Sequence, residues 1–245
     1  YYRYNIMRIE ETDQSELKIK QSKQSIDKPL GVPPPFINKN AVYCISGSMG
    51  SGKSTLTNSL MTSTGKDKVF KRVFNEVYYS TPQEVYDSET NHPFKDHNKE
   101  RTYFHLSVPM LNEIAEKAID IKDEGGSSCL ILDDWSEELK DKKIEKALKK
   151  LIFKHRHYSM SIICTVLTLK SLPKSLRSLI DCYIMFRPKS QIEIQSFAED
   201  VFSLDKKDLK NLMEYVFDEK YNFLFYNQRD NTYYKNFNKL KFIDE

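Results

Sequence analysis

Beyond about residue 40 the chain alternates short apolar runs with longer segments in which apolar residues recur every three or four positions. Five runs read as strands: 41–46 (AVYCIS), 72–80 (RVFNEVYYS), 129–133 (CLILD), 161–167 (SIICTVL) and 182–186 (CYIMF). Three of them are almost unbroken in apolar character, as expected of strands covered on both faces. Between the runs, helices are expected over 53–63, 107–122, 136–155, 173–180 and 189–219, the last broken near Ser203. In the third, Ile144, Ala147, Leu148, Leu151 and Ile152 form a single apolar stripe at i, i+3, i+4, i+7 and i+8, and the opposite face is strongly basic. This alternation predicts an α/β fold around a mainly parallel sheet. At the C-terminus, 221–226 (YNFLFY), a turn-like 227–231 (NQRDN) and 232–237 (TYYKNF) predict an antiparallel β-hairpin appended to the core. No internal repeat is visible.

Residues 1–40 differ in character. They are polar, rich in Lys and Gln, and end in Pro33, Pro34 and Pro35, which favour extended backbone. They read as a flexible N-terminal extension, with a boundary near Ile37, followed by a core over 41–220 and the hairpin over 221–245. The chain begins with Tyr rather than Met, which leaves two readings open, a truncated frame or a start at Met7.

Composition narrows the function classes. With 245 residues, 39% of them hydrophobic, and 15 Tyr and 14 Phe beside one Trp, there is material for a sizeable core, and wholesale disorder is excluded. Lys and Arg total 38 against 35 Asp and Glu, so a globally basic nucleic-acid binder is excluded and any DNA contact must come from a local patch. Cys44, Cys129, Cys164 and Cys182 are widely spaced, each within an apolar run, and read as buried reduced thiols rather than metal ligands. No apolar run reaches the ~18 residues of a membrane span, and the N-terminal stretch lacks the apolar segment of a signal peptide. The expectation is a soluble intracellular protein.

Only seven Gly occur, and Gly47, Gly50 and Gly52 fall close together in "GSMGSGKS", Gly47 to Ser54, directly after the first strand. The segment satisfies G-x-x-x-x-G-K-[ST] in the strand-loop-helix context that gives the motif its meaning. The glycines let the backbone turn so that N–H groups of Met49, Gly50, Ser51, Gly52 and the residues up to Thr55 can face phosphate oxygens. The helix beginning near Lys53 adds its positive end. Lys53 is expected to reach the β- and γ-phosphates of ATP, Ser54 to ligate Mg²⁺, and Thr55 to support the α-phosphate. Such a loop needs carboxylates as well, and "CLILDDW" provides a strand ending in Asp133 and Asp134. Asp133 is the candidate for holding Mg²⁺, through water, and Asp134 for polarising the attacking water. The usual residue at the second position is Glu, one methylene longer. Two acids capping the following helix is the plainer reading of the same pair, and the two are compatible.

With both elements placed, "KHRHYSMSIICTVLTLKSLPKSLRSLIDCYIMF" resembles the genome-packaging ATPases of the FtsK/HerA superfamily, in particular the poxvirus-type branch of large DNA viruses and virophages. Arg156, His157, Tyr158, Ser161, Leu172, Pro173, Arg177 and strand 182–186 carry the likeness, which spans about residues 40–190. It implies a RecA-like additional-strand P-loop fold, with strand 161–167 between the P-loop strand and the Asp133 strand. It also implies a homo-oligomeric ring that moves double-stranded DNA into a capsid, with a capsid or portal protein as a further partner, working in the host cytoplasm or viral factory or on the virion, and no membrane partner. The family commonly has a polar sensor, often Gln, at the end of that strand; here the sequence is "TVLTLK", and Thr165 or Thr168 takes the place.

A ring ATPase needs an arginine from the neighbouring subunit to neutralise charge on the transferred phosphoryl group. Arg156 is the first candidate by its place in the resembling segment and Arg177 the second, against the plainer reading of surface or packing ion pairs. His155 and His157 read as helix-end residues. The basic stretch Lys140, Lys142, Lys143, Lys146, Lys149, Lys150, Lys154 and Arg156 is a candidate DNA or subunit surface, against the plainer reading of a solvated helix face. The aromatic hairpin reads as core rather than as a stacking surface for bases. Two other functions stay open: a helicase or DNA-transfer ATPase of the same superfamily, and a P-loop kinase or switch that acts without DNA.

Overall fold

The structure is a computed structural model that describes residues 28–243 apart from 89–93, 96 and 203. Nine strands form one sheet among the described residues: β1 (Val42–Ser46), β2 (Glu76–Ser80), β3 (Thr102–Tyr103), β4 (Ser128–Leu132), β5 (Met160–Val166), β6 (Cys182–Phe186), β7 (Phe223–Asn227), β8 (Thr232–Lys235) and β9 (Asn238–Lys239). Their order is β3-β2-β4-β5-β1-β6-β7-β8-β9. The first six strands pair in parallel, and β7, β8 and β9 add antiparallel to β6. The hairpin therefore widens the central sheet instead of forming a separate layer, and β5 lies between β1 and β4 as the additional-strand fold requires.

β1, β4, β5 and β6 are buried along their whole length, which explains their unbroken apolar runs. Alternate residues feed two cores. Val42 and Cys44 point to a face covered by α3 (Val108–Asp123), α4 (Lys142–Lys154), α5 (Lys174–Arg177), α6 (Gln191–Asp200) and α7 (Lys206–Val216), where Ile114, Leu148, Leu176, Phe197 and Leu212 are buried. Tyr43 and Ile45 point to the other face, under α1 (Lys53–Thr62) and the rings of Phe36, Phe70 and Phe74, with Tyr86 of the short α2 (Gln83–Ser88) packed against the same cluster. Each such side chain contributes about 1.5–3 kcal/mol on burial. Packing begins upstream of Ile37, because Val32 and Phe36 are buried and the Phe36 ring lies 5.2 Å from Phe70 and 5.4 Å from Phe225. Residues 1–27 of the expected extension lie outside the described residues.

The differences from the expected boundaries have local causes. Strand 72–80 shortens to β2 because Arg72 turns into the left-handed region, φ 57°. Helix 136–155 begins only at Lys142, because the Asp141 carboxylate accepts from the Lys143 and Ile144 N–H groups and caps α4 there. Ahead of it stands a single 3₁₀ turn, Glu138–Lys140. The expected helix 189–219 is two helices, each with its own cap, Ser190 for α6 and Asp205 for α7. The break expected at Ser203 falls on a residue outside the described ones. The four cysteines are free and buried, and burial pushes the Cys164 thiol up to about 12. No described helix is long and apolar enough to cross a membrane.

Candidate nucleotide-binding site

Parallel pairing brings the C-terminal ends of β1, β4, β5 and β6 to one edge of the sheet, where α/β folds place their ligands. From β1 the chain enters the loop at Gly47, whose N–H donates to Val166 O of β5 at 3.1 Å. A Cβ at Gly47 would stand 2.5 Å from Ser51 Oγ and 2.9 Å from Phe186 Cβ, so only glycine fits. Gly50 and Gly52 have φ of 72° and 107°, open to glycine at no steric cost. Gly52 caps α1 through its backbone alone, accepting from Leu56 N–H at 2.8 Å, with no side-chain cap and no acidic residue in the first turn. The first N–H groups of α1 are thus left to an anion. Lys53 is buried beneath the loop, where its Nζ donates to Gly47 O (2.6 Å) and Ser48 O (3.3 Å). Burial pushes its pKa down, opposed by Asp134 and Asp133. Ser54 is half-buried at the head of α1; Thr55 and Met49 are exposed.

Asp133 follows β4 and is held on both oxygens. Oδ2 accepts from the Tyr79 hydroxyl (3.0 Å) and Oδ1 from the Thr165 hydroxyl (2.5 Å). Its N–H donates to Ser80 O (2.8 Å). Asp134 turns into the left-handed region, φ 60°, and its N–H donates to Thr165 Oγ1 at 3.0 Å. One hydroxyl at the end of β5 therefore fixes both acidic residues. Burial pushes the Asp134 carboxyl up, opposed by Lys53 and reinforced by Asp133. The donor set, a Ser hydroxyl and a carboxylate, is the hard-oxygen kind that Mg²⁺ takes, with phosphates and water to complete the shell. No described cluster of His, Cys, Asp or Glu could hold a metal on its own.

The loop, Lys53, Asp133 and Asp134 come together; the two arginines do not join them. Arg156 is exposed in the turn before β5, at the opposite edge of the sheet. There it lines a cavity of about 740 Å³ with Asn40, Asn75 and Ser127, which precede β1, β2 and β4. Arg177 is 6% exposed; Nε donates to Leu172 O at 2.8 Å and Nη1 pairs with Asp200, so its charge is committed inside its own chain. His155 is a buried helix-end residue, Nδ1 at 2.6 Å from Ile152 O. Of the sensor candidates, Thr165 is the one at the carboxylates, while Thr168 meets Ser171. Reasoning from sequence missed Tyr79 and Arg187, and it read Tyr221 with the rest of the aromatic hairpin as core, whereas Tyr221 precedes β7 and is exposed; Arg187 and Tyr221 line the loop's surroundings. Arg187 had a signal, since it directly follows a parallel strand and must emerge at the loop's edge of the sheet.

Sheet order and loop together define the class, an ATPase of the P-loop type built on a mainly parallel sheet with C-terminal antiparallel strands. The model of one family, described as the poxvirus A32 protein, matches residues 36–230, well over half of the chain, and the chain belongs to that family. Among solved structures it is similar to B204, the DNA-packaging ATPase from Sulfolobus turreted icosahedral virus, with a TM-score of 0.61 and 16% identity over 85% of this chain and 100% of that one. It is also similar to the genome packaging NTPase B204 from Sulfolobus turreted icosahedral virus 2. In complex with sulfate that protein gives a TM-score of 0.59 at 16% identity over 85% of this chain and 100% of that one. In complex with ATP-gammaS it gives 0.54 at 14% identity over 83% and 100%. At these identities the likeness is one of fold. None of the curated proteins compared with the chain matches it.

Proposed function

We propose that this chain is a Mg²⁺-dependent ATPase that drives double-stranded DNA into a viral capsid as a homo-oligomeric ring. The observation that carries the reading is the convergence of an uncapped α1 N-terminus, buried Lys53 and the Thr165-fixed pair Asp133 and Asp134 at one sheet edge. The loop N–H groups from Met49 to Thr55 hold the phosphates, and Lys53 exchanges its two carbonyl partners for the β- and γ-phosphate oxygens. Ser54, with Asp133 through water, would hold Mg²⁺, which when bound neutralises charge between those phosphates. Asp134 orients and polarises the attacking water.

Arg156, at the edge opposite its own loop, is the finger for a neighbour's nucleotide; its position supports action in trans rather than in cis. Arg177, tied to Asp200, is left to packing. The exposed basic face of α4, Lys142, Lys143, Lys146, Lys149, Lys150 and Lys154, contacts phosphates without reading sequence, as a motor that passes any genome requires. Residues 41–220 form the ATPase core, and the hairpin from 221 on extends it. The family of the chain supports work in the infected cell's cytoplasm, with the capsid or portal as the docking partner.

Subunit mixing tests the ring. Asp134→Asn and Arg156→Ala should each lower kcat by roughly 10²-fold or more. Mixing the two should restore part of the activity, because one intact interface forms between an Asp134 and an Arg156 from different subunits. Additive residual rates on mixing would contradict the trans assignment.

A further inference from the structure

A cavity of about 510 Å³, within the size range of small-ligand pockets, is lined by the loop at Gly50–Thr55, by Leu56 and Ser59 of α1, and by the rings of Phe186, Tyr221 and Phe223. Its two ends differ in chemistry, one a cradle of N–H groups and the other an aromatic wall. Tyr221 stands apart from the other rings of this C-terminal region. Phe223, Phe225, Tyr226 and Tyr233 are buried core residues; Phe237 and Phe242 are exposed, as Tyr221 is at 57%, but among the described aromatic residues Tyr221 alone has a left-handed backbone, φ 69°, a conformation an aromatic residue rarely adopts. Strain retained at an exposed ring beside a ligand loop marks a side chain placed for contact. Its position is fixed by the hairpin, as the side chain of the next residue, Asn222, donates to Asp218 (2.7 Å) and accepts from Asn236 Nδ2 (2.9 Å). A Cβ on Gly52 would be 3.6 Å from the Tyr221 ring, so ring and loop are in direct reach of one ligand.

We propose that Tyr221 is the stacking platform for the nucleobase of the nucleotide whose phosphates the Gly47–Thr55 loop holds, so that the appended hairpin completes the nucleotide site. The inference rests on the nucleotide-binding reading of that loop. Lys220, with Nζ 4.6 Å from the ring centroid, backs the platform with a cation. Ser59, in the same lining, offers a hydroxyl that donates or accepts equally well, so it does not discriminate between base edges.

The test is calorimetric binding of a non-hydrolysable ATP analogue and of inorganic tripolyphosphate, both with Mg²⁺, to the full chain and its Tyr221→Phe and Tyr221→Asn variants. Asn is chosen because it tolerates the left-handed backbone. Tyr221→Asn should weaken the ATP analogue by roughly 5- to 100-fold and leave tripolyphosphate unchanged, while Tyr221→Phe binds as the wild type does. Equal weakening of both ligands, or no weakening of either, overturns the stacking role and leaves the loop's phosphate role standing. Failure of the wild type to bind either ligand overturns the loop reading and the stacking role with it.

Discussion

One hydroxyl joins the two acidic residues of the site. Thr165 donates a hydrogen bond to Asp133 and accepts one from the Asp134 N–H, so it holds the Asp133 carboxylate and the backbone that aims Asp134. Thr165→Val keeps the shape but leaves a half-buried N–H and a carboxylate oxygen unsatisfied, at about 1–3 kcal/mol. We expect a lower Tm in thermal unfolding and a kcat reduced by roughly tenfold or more, with Thr165→Ser recovering both. A Tm and kcat equal to the wild type's would show that the hydroxyl holds nothing. In the role proposed for it Asp134 must be ionised to polarise water, and burial raises its pKa, so kcat should begin to fall with decreasing pH at a value above that of an ordinary Asp, about 3.9. The same shift makes its contribution to stability fully present below the unfolded pKa and lost as pH rises through the folded one. A pH–rate profile of the wild type measures that limb. The glycines, Lys53 and Asp133 were legible as candidates because the loop motif and the strand end call for those residue types, and Asp134 by its place beside Asp133, where Glu is the usual residue. Tyr79 was not, because a buried tyrosine in a strand reads the same whether its hydroxyl is used or idle.

At the scale of elements, burial decided what could be read. Strands covered on both faces announce themselves, and β6 has the expected bounds, 182–186. The ends of helices follow single side chains that periodicity does not register, as Asp141 does in starting α4 just ahead of its apolar stripe rather than at 136. β3, two residues long, and β9 are too short to carry a pattern. The loop between β1 and α1 is an element whose backbone depends on one missing atom. In Gly47→Ala the new Cβ would press on Phe186 Cβ, which β6 cannot move aside. Binding of ATP should fall at least about tenfold, the price of a loop displaced from its phosphates, while the far-UV spectrum stays that of the wild type. Unchanged affinity would place the phosphates elsewhere.

Across the whole molecule the proposed catalytic groups stand at two sheet edges. The loop and carboxylates stand at one, Arg156 at the other, and a closed ring brings such edges together only between subunits. The sequence named Arg156 and Arg177 together because neither spacing nor periodicity says where a side chain is spent. The ion pair with Asp200, far along the chain in α6, removes Arg177 from the surface. The hairpin was legible as a hairpin, but not as a continuation of the central sheet beside the loop, since pairing with β6 is a long-range contact. The most direct test of the account is the steady-state ATPase rate with and without double-stranded DNA, measured across protein concentration and salt. A DNA-coupled ring predicts a rate per subunit that rises cooperatively with protein, increases on adding DNA of any sequence, loses that increase at high salt and vanishes in Lys53→Ala. A rate linear in protein and indifferent to DNA would contradict it.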